Sequence, residues 1–415
     1  MNAYAQVLIY AIPAFIVLII VEWLISLRRG IIVNYGFDTI SSLSSGITNV
    51  TKDVLGLAIV ILSYGWMVEH WALVRFDAEW IHYVIAFIAL DFAGYWVHRI
   101  EHTVNLFWNR HIIHHSSEEF NLSCALRQNI SAVFGWFTIL LLPAALMGVP
   151  AEVIAVVAPL HLFAQFWYHT RLIDRLGFWE YIIVTPSHHR VHHAINDIYL
   201  DKNFSQIFII WDKIFGTFQE ERADTPPVYG VKRQVNTWNP ILINFQHLWL
   251  MIQDAWRTKF WKDKLRIWFM PTGWRPADVA VKYSVTYIHD PYAQEKYRPA
   301  AGRALLVWTF TQLGITLFLF LWMLLHISDY SFAWILLYGA YIFISVYAFT
   351  SLADLSIQGL IADVLRVIFM FVVIYKLGDW YGLPVFVMLA YSFMSVGFSI
   401  YFSVTEIFKQ KLFTK

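Results

Sequence analysis

Histidines are concentrated in three short segments of an otherwise apolar chain. Eleven of the 16 histidines lie between positions 98 and 193. The three segments read HRIEH, HIIHH and HRVHH, and each spaces its histidines three or four positions apart. On a helix this spacing places side chains on one face, so each segment predicts a row of imidazoles. The three rows contain His98, His102, His111, His114, His115, His189, His192 and His193.

Such a cluster is typical of a metal centre. Neutral imidazole binds zinc, copper, iron and nickel, whereas many protonated imidazoles close together would repel one another. One row alone would suit an ordinary amphipathic helix, but three rows favour coordination. Because one ion accepts about four to six ligands, the sequence predicts two metal ions without choosing the element.

Several polar residues are placed to support the cluster. Asp91 precedes the first row by seven positions on the same predicted helix. A buried carboxylate of this kind often accepts the outer N–H of a metal-bound imidazole. Glu101 lies within the first row and Asn196 follows the third, so we take these three residues as candidate catalytic residues. From spacing alone, either His161 or His169 completes the ligand set, or both only extend towards the membrane surface.

The composition is that of an integral membrane protein. Of 415 residues, 59% are hydrophobic and 14% are charged, whereas soluble domains carry about a quarter charged residues. Cys124 is the only cysteine, which excludes an internal disulfide and a thiolate metal cage. The net charge of +1 gives no indication of nucleic acid binding.

Apolar runs predict an all-α polytopic membrane protein with about nine spans, since a bilayer core requires roughly 20 residues per helix. The runs occupy positions 7–27, 54–71, 81–97, 131–148, 151–168, 304–325, 332–350, 362–377 and 383–404. The first run ends at Arg28 and Arg29, and positive residues favour the cytoplasmic side. Alternate crossings then place all three histidine rows on that side. The predicted location is a bacterial inner membrane or the endoplasmic reticulum.

Four regions follow from this pattern. Residues 1–80 are predicted to form N-terminal membrane helices, and residues 81–230 a histidine-box domain. Residues 231–303 form a cytoplasmic connector, and residues 304–415 the C-terminal membrane helices. The stretch between positions 171 and 303 is the only long one too polar for a membrane. We expect it to form a cytoplasmic helical cap over the histidine rows.

The histidine rows resemble those of the fatty acid hydroxylase and sterol desaturase superfamily of membrane di-iron oxygenases. Within it, the alkylglycerol monooxygenase branch is similar over positions 91–230, through the segments HIIHHSSEEFNLSCALRQN, QFWYHT, TPSHHRVHHAIN and DKNFSQIFIIWDKIFGTFQEE. The resemblance implies two iron ions, O2 as oxidant and hydroxylation of a lipid C–H bond. It also selects His169 over His161 as a ligand, and it adds His188 either as a ligand or as a residue that supports the ligands.

The resemblance leaves substrate and electron donor open. It implies an oxygen-dependent lipid monooxygenase, with ether-bond cleavage of alkylglycerol lipids and a tetrahydropterin donor as one version. Sterol or fatty-acid hydroxylation or desaturation, with electrons from a redox protein, is the alternative. Thr103 and Arg171 stand where the animal ether-lipid enzymes carry Glu, which keeps this alternative open. A zinc hydrolase and a transition-metal transporter are more distant alternatives, although a transporter would line a path across the bilayer with its ligands.

Overall fold

Helices dominate the computed structural model, which describes residues 3–57, 59–60, 62–132, 134–135 and 137–408. Within these ranges, six helices are long and apolar enough to cross a membrane. They are Leu8–Arg29, Glu79–Thr103, Arg303–His326, Phe332–Ala353, Ile357–Leu377 and Val385–Phe408. They coincide with the first, the third and the last four predicted spans, so the chain is a mostly helical integral membrane protein. Residues 409–415, at the end of the predicted C-terminal region, lie outside the described residues.

The helices are numbered here in chain order. The first eight are α1 (Ala3–Arg29), α2 (Gly36–Val54), α3 (Tyr64–Trp71), α4 (Glu79–Thr103), α5 (Asn105–His115), α6 (Leu142–Leu146), α7 (Ala151–Phe163) and α8 (Pro186–His192). The others are α9 (Ile210–Ile214), α10 (Pro240–Arg257), α11 (Trp261–Arg266), α12 (Ala277–Lys282), α13 (Arg303–His326), α14 (Phe332–Ala353), α15 (Ile357–Leu377) and α16 (Val385–Phe402). A π-helical turn, Ser403–Phe408, extends α16. Two short strands, β1 (Ile59–Val60) and β2 (Phe134–Gly135), pair in parallel.

The remaining three predicted spans are not long helices. Gly56, with a positive φ of 61°, follows the end of α2 inside the run at 54–71, and α3 behind it has only 8 residues. The run at 131–148 contains β2, a 3₁₀ turn and α6, which has 5 residues and a proline in its first turn. α7 has 13 residues, fewer than the roughly 20 that a span needs. The described residues thus contain six candidate spans instead of nine. Gly56 and Pro143 interrupt the runs at 54–71 and 131–148, although both are largely apolar by composition.

The largest hydrophobic core lies among the C-terminal helices α13 to α16. Phe320, Ile342 and Met370 are fully buried there. Gly359, in the first turn of α15, lets that helix approach α14, since a Cβ at this position would lie 2.6 Å from the Leu352 nitrogen. α2 packs against α13 and α14 and also against the 3₁₀ turn at Leu122–Leu126. It therefore joins the C-terminal bundle to the histidine region.

The histidine rows lie on α4, α5 and α8. α5 packs against both α4 and α10. The N-terminus of α10 is capped by Asn239, whose side-chain oxygen accepts hydrogen bonds from the Ile241 and Leu242 nitrogens. Pro240 occupies the first turn, where its fixed φ suits a helix start. The segment predicted to form a helical cap contains α8 to α12, and α10 is its longest helix.

Candidate metal centre

The corner between α4 and α5 brings the first two histidine rows face to face. Val104 alone separates the two helices, with extended backbone at φ −120° and ψ 126°. An antiparallel bridge to Pro271 holds it in place. The chain therefore turns sharply, and His98 Nε2 comes to 3.0 Å from His111 Nε2.

The first histidine group combines residues of all three rows. Its candidate ligand atoms all lie within 4.8 Å of one another, and its members are His98, His102, His111, His115 and His192. His115 Nε2 lies 3.0 Å from His102 Nε2 and 3.0 Å from His192 Nε2. α8 thus places the third row against the corner between α4 and α5.

The second histidine group lies beside the first. Its candidate ligand atoms also lie within 4.8 Å of one another, and its members are His114, His169, His189 and His193. His193 Nε2 is 3.1 Å from His114 Nε2 and 3.0 Å from His189 Nε2. His169 Nε2 is 2.8 Å from His189 Nε2. The structure therefore gathers every predicted ligand except His188 into two adjacent groups.

The outer ring nitrogens determine which tautomer is present. Nδ1 of His98 lies 2.8 Å from the carbonyl oxygen of Phe204, and Nδ1 of His192 lies 2.9 Å from that of Lys202. In the second group, Nδ1 of His169 lies 3.0 Å from a main-chain carbonyl oxygen. A carbonyl oxygen only accepts, so each of these Nδ1 atoms carries the hydrogen. Each Nε2 therefore presents a lone pair to the interior of its group.

These inward lone pairs fit a cation between them. Nε2 of His98 and Nε2 of His111 are 3.0 Å apart, and two unprotonated nitrogens at that distance repel unless positive charge lies between them. Imidazole nitrogens bind transition-metal ions at about 2.0–2.1 Å, so ligands at right angles are separated by about 3 Å. The residues present therefore suit two transition-metal ions, one in each group.

Burial keeps the imidazoles in their metal-binding form. The pKa of His169 falls to about 4, mainly because burial disfavours the charged ring. Burial, followed by the neighbouring imidazoles, also lowers several other pKa values well below the usual range; they belong to His111, His114, His115, His189, His192 and His193. Neutral imidazole is the form that coordinates a metal, so at neutral pH binding does not require proton release from these rings.

Two carboxylates contact outer nitrogens of the first group. Glu101, one of the predicted catalytic residues, has Oε2 at 3.3 Å from Nδ1 of His111 and Oε1 at 3.2 Å from Nε of Arg110. Asp201 Oδ1 lies 3.4 Å from Nδ1 of His102. A carboxylate at this position fixes the ring orientation of a metal-bound histidine. Sequence analysis missed Asp201, which belongs to no histidine row and reaches the site only through the fold of its loop.

Asp91 fastens a loop to α4. Its carboxylate accepts hydrogen bonds from the main-chain nitrogens of Ile207 at 2.9 Å and Phe208 at 3.1 Å, and from Trp211 Nε1 at 2.8 Å. His161 Nε2 lies 3.0 Å from the same carboxylate. The sequence predicted a metal-bound histidine as the partner of Asp91, but the partner is His161, which lies outside both histidine groups. The same loop contains Phe204, whose main-chain oxygen contacts Nδ1 of His98 in the first group.

Asn196 and His188 fix backbone segments next to the groups. Asn196 Oδ1 accepts a hydrogen bond from the Val228 nitrogen at 2.8 Å, and its Nδ2 donates to the Pro226 carbonyl at 3.2 Å. His188, predicted to be a ligand, lies outside both groups. Its Nδ1 accepts a hydrogen bond from the Thr185 nitrogen at 3.3 Å and so caps the start of α8. Both side chains hold the backbone around the groups.

A cavity of about 240 Å³ opens onto the first group. Four grouped histidines form part of its lining: His102, His115, His192 and His193. Trp108, Ile112 and Met251 contribute apolar walls, while Arg233 brings a charged group to the lining. Nη2 of Arg233 is buried without a hydrogen-bond partner among the described residues. Asp201, Lys232, Asp254 and Arg275 also lie in the lining, so the cavity is only partly apolar. A cavity with apolar walls and polar groups beside metal ligands is suited to an organic substrate that carries polar groups of its own.

Comparisons with known proteins assign the histidine region to a family. The fatty acid hydroxylase family model matches residues 83–217, which include both histidine groups. The chain is 33% identical to the alkylglycerol monooxygenase of Homo sapiens over 372 residues, or 89% of this chain and 82% of that protein. The alkylglycerol monooxygenase of Xenopus tropicalis is 38% identical over 58% of this chain and 53% of its own. An ornithine lipid hydroxylase of Rhizobium tropici is 24% identical over 37% of this chain and 46% of its own. No solved structure matches.

The similarity to the human protein extends far beyond the histidine rows, since it covers 372 residues. The resemblance inferred from the sequence is thereby confirmed, and with it the class of enzyme. The chain belongs to the alkylglycerol monooxygenase family, a branch of the fatty acid hydroxylase superfamily of lipid monooxygenases.

Proposed function

We propose that this protein is a di-iron membrane monooxygenase that hydroxylates a lipid C–H bond with O2. The observation that carries the proposal is the pair of adjacent histidine groups, open to a partly apolar cavity. The first group holds one iron ion and the second group holds the other. When bound, the two ions supply oxygen activation. The other steps depend on the side chains described above.

The chain's own residues fix the ligand geometry before substrate arrives. The main-chain oxygen of Phe204 holds His98 in the tautomer that directs Nε2 inward. Glu101 contacts the outer nitrogen of His111 in the same way. Since these partners are themselves part of packed elements, they restrict rotation of the rings and keep the donor set in place.

The cavity binds and orients the lipid. Trp108 and Ile112 form apolar walls that exclude water, and His102 and His115 lie in the same lining. We propose that an alkylglycerol-type lipid binds with the carbon beside its ether oxygen next to His102 and His115. Its hydroxylation gives a hemiacetal, which separates into an aldehyde and an alcohol. Support comes from the relatives named alkylglycerol monooxygenase.

The alternative substrate is a lipid without an ether bond. The ornithine lipid hydroxylase relative supports this version, although its similarity covers only 37% of the chain. Hydroxylation or desaturation of a fatty acid or sterol begins with the same hydrogen abstraction. The two versions differ in product, because only the ether substrate yields an aldehyde.

Hydroxylation requires two electrons and two protons for each O2, since one oxygen atom enters the lipid and the other leaves as water. We propose tetrahydropterin as the donor, with a redox protein as the alternative. We also propose that the histidine groups and the helical cap lie on the cytoplasmic side of a bacterial inner membrane or the endoplasmic reticulum. Arg28 and Arg29 at the end of α1 support this side. Nη1 of Arg29 donates a hydrogen bond to the Leu172 carbonyl oxygen at 2.6 Å, so this end of α1 lies on the same side as the histidine groups. The alternation of nine crossings no longer supports the placement, because the described residues contain no candidate span between Arg29 and the start of α4.

The test combines metal analysis with product analysis. Detergent-purified protein is expected to contain two iron ions per chain, or to take them up as Fe(II) under anaerobic conditions. With an alkylglycerol, tetrahydropterin and ¹⁸O2, it is expected to release a fatty aldehyde with consumption of O2. Activity that needs no O2 and accompanies bound zinc would refute the proposal and identify the protein as a zinc hydrolase. Failure of carefully reconstituted protein to retain any metal would favour a transporter.

A further inference from the structure

The exposed side chains of α10 are apolar except for Arg257 at its end. The apolar ones recur every three or four positions, and they are Leu242, Phe245, Trp249, Ile252 and Trp256. Trp249 is 59% exposed and Trp256 is 84% exposed. This spacing describes one continuous stripe along the helix.

The inward face of the same helix carries the polar residues. Asn244, His247 and Asp254 are buried, and each has a partner within the protein. Asn244 accepts a hydrogen bond from the Ile130 nitrogen, and Asp254 forms an ion pair with Arg275 at 2.6 Å. A helix at a water-facing surface has the opposite arrangement, with polar residues outward. The outward stripe of α10 is therefore arranged for an apolar surrounding.

The apolar surface continues onto α11 and the turn that follows it. Phe260, Trp261, Leu265 and Phe269 are between 59% and 76% exposed. Together with the stripe on α10 they form a surface that we call the aromatic ledge, made of Leu242, Phe245, Trp249, Ile252, Trp256, Phe260, Trp261, Leu265 and Phe269. An apolar patch of this extent marks an interaction site.

Basic residues border the ledge. Five lie between positions 257 and 266, where Asp263 is the only acidic residue; they are Arg257, Lys259, Lys262, Lys264 and Arg266. Asp263 is itself paired with Arg266 at 2.8 Å. Tryptophan and phenylalanine next to lysine and arginine are typical of segments at the interface between anionic headgroups and acyl chains. The charge therefore favours a lipid surface over an acidic protein that would also have to match the apolar stripe.

We propose that the aromatic ledge is seated in the headgroup layer of the bilayer, with the α10 axis close to the membrane plane. α10 is not one of the six candidate spans. Its apolar stripe covers one face only, because the other face carries Asn244, His247 and Asp254. The ledge thereby holds part of the predicted cap against the membrane. This placement depends on the exposed surface alone and does not require the proposed reaction.

Single spin labels test this placement. Cys124 is buried, so wild-type protein provides the unlabelled background. Nitroxides are attached to Trp256→Cys and Trp261→Cys. Controls are Glu220→Cys at a water-exposed position of the cap and Phe393→Cys on the lipid-exposed surface of α16. Purified protein in nanodiscs of phosphatidylcholine and phosphatidylglycerol is then measured for collision with O2 and with a water-soluble nickel complex.

The expected ratio of O2 to nickel collisions at positions 256 and 261 is several-fold above that of Glu220→Cys and below that of Phe393→Cys. Reversing charge with Lys259→Glu and Lys262→Glu is expected to lower the ratio at 256. Water-like values at both ledge positions would overturn the proposal, and so would a depth equal to that of Phe393→Cys. Dipolar broadening between labels would instead assign the ledge to a second copy of this chain. Gel filtration and circular dichroism verify that each variant is folded.

Discussion

The rings of His115 and His193 stack with centroids 4.3 Å apart and planes 22° apart, although they belong to different histidine groups. His114 precedes His115 on α5 but enters the group of His193. Likewise, His192 precedes His193 but enters the group of His115. On α5 and again at the end of α8, two consecutive histidines therefore belong to different groups. The groups cannot move apart without deforming α5 or the end of α8, so we expect them to act as one centre.

Removal of a grouped histidine should remove metal and activity together. His192→Ala deletes an Nε2 donor of the first group. We expect metal content to fall below two ions per chain and product formation to fall by more than about 100-fold. Elemental analysis and the aldehyde assay measure the two effects. His70→Ala, at an exposed histidine outside both groups, is the matched control, and an unchanged metal content in His192→Ala would refute the ligand assignment.

Glu101→Gln tests the positioning role of this carboxylate. The substitution keeps the shape of the side chain but removes the charge that faces Nδ1 of His111 and Arg110. We expect metal affinity or activity to decrease by about 10–100-fold. Competition with a coloured chelator measures the affinity. Glu79→Gln, at the exposed start of α4, should match wild type, and equal affinities in the two variants would argue against the role.

The metal-free protein should become less stable as the pH falls from 6.5 towards 4. The pKa of His169 is lowered from 6.5 to about 4 by burial. In this window the unfolded chain binds a proton that the folded chain does not, so acid favours unfolding. His169 alone contributes up to about 3 kcal/mol. Thermal unfolding in detergent between pH 8 and pH 5 measures the effect, and His169→Gln should show a smaller slope. A midpoint that rises on acidification would contradict the assignment.

Arg127 is expected to be critical for stability because it ties α2 to the end of α5. Its guanidinium contacts Asp38 Oδ1 at 2.7 Å, Ser42 Oγ at 3.0 Å and Ser116 Oγ at 2.6 Å. Its carbonyl oxygen lies 3.3 Å from Nδ1 of His114. Arg127→Met leaves the buried Asp38 carboxylate with the Ser117 Oγ hydrogen bond at 2.7 Å but without its counter-charge. Loss of one partner of a buried ion pair costs about 3–5 kcal/mol. The double variant Asp38→Asn/Arg127→Met should recover part of this loss in denaturant unfolding. A double variant no more stable than the single one would show that the charge pair is not the cause.

Substitutions on α10 should distinguish the cavity from the surface. Met251 lines the cavity, whereas Ile252 belongs to the outward stripe and is 41% exposed. Met251→Phe narrows the space available to the lipid, so we expect a roughly tenfold lower kcat/KM with little change in metal content. Ile252→Phe adds an aromatic ring outside the cavity and should behave as wild type. Equal effects of the two substitutions would mean that the cavity does not bind the substrate.

The sequence predicted the histidine rows because imidazoles three and four residues apart must share a helix face. It did not separate His114 from His115, since assignment to a group depends on which element packs against each ring. His188 lies four positions before His192, the same spacing as between grouped histidines, yet its ring points back to the start of α8 and caps that helix. Asp91 was correctly expected to be buried and paired, but its histidine partner is His161. Contacts between distant segments decided each of these points.

The membrane topology was predictable where an apolar run forms one uninterrupted helix. At Gly56, near the start of the mostly apolar run at 54–71, the backbone turns to a positive φ of 61° and ends α2. α10 presents the reverse case, because buried Asn244, His247 and Asp254 lower its average hydropathy and conceal an apolar outer face. Its orientation becomes visible only when the partners of those polar groups are known.

The two sides of α10 have a kinetic consequence. Trp249 and Ile252 face outward while Leu250 and Met251, between them in sequence, line the cavity. A lipid that passes from the bilayer around this helix never dissolves in water. Its effective concentration is then its mole fraction in the leaflet, so the Michaelis constant is a surface quantity. Turnover should therefore slow when inert phospholipid is added to the bilayer, even though the amount of substrate per volume of solution stays constant.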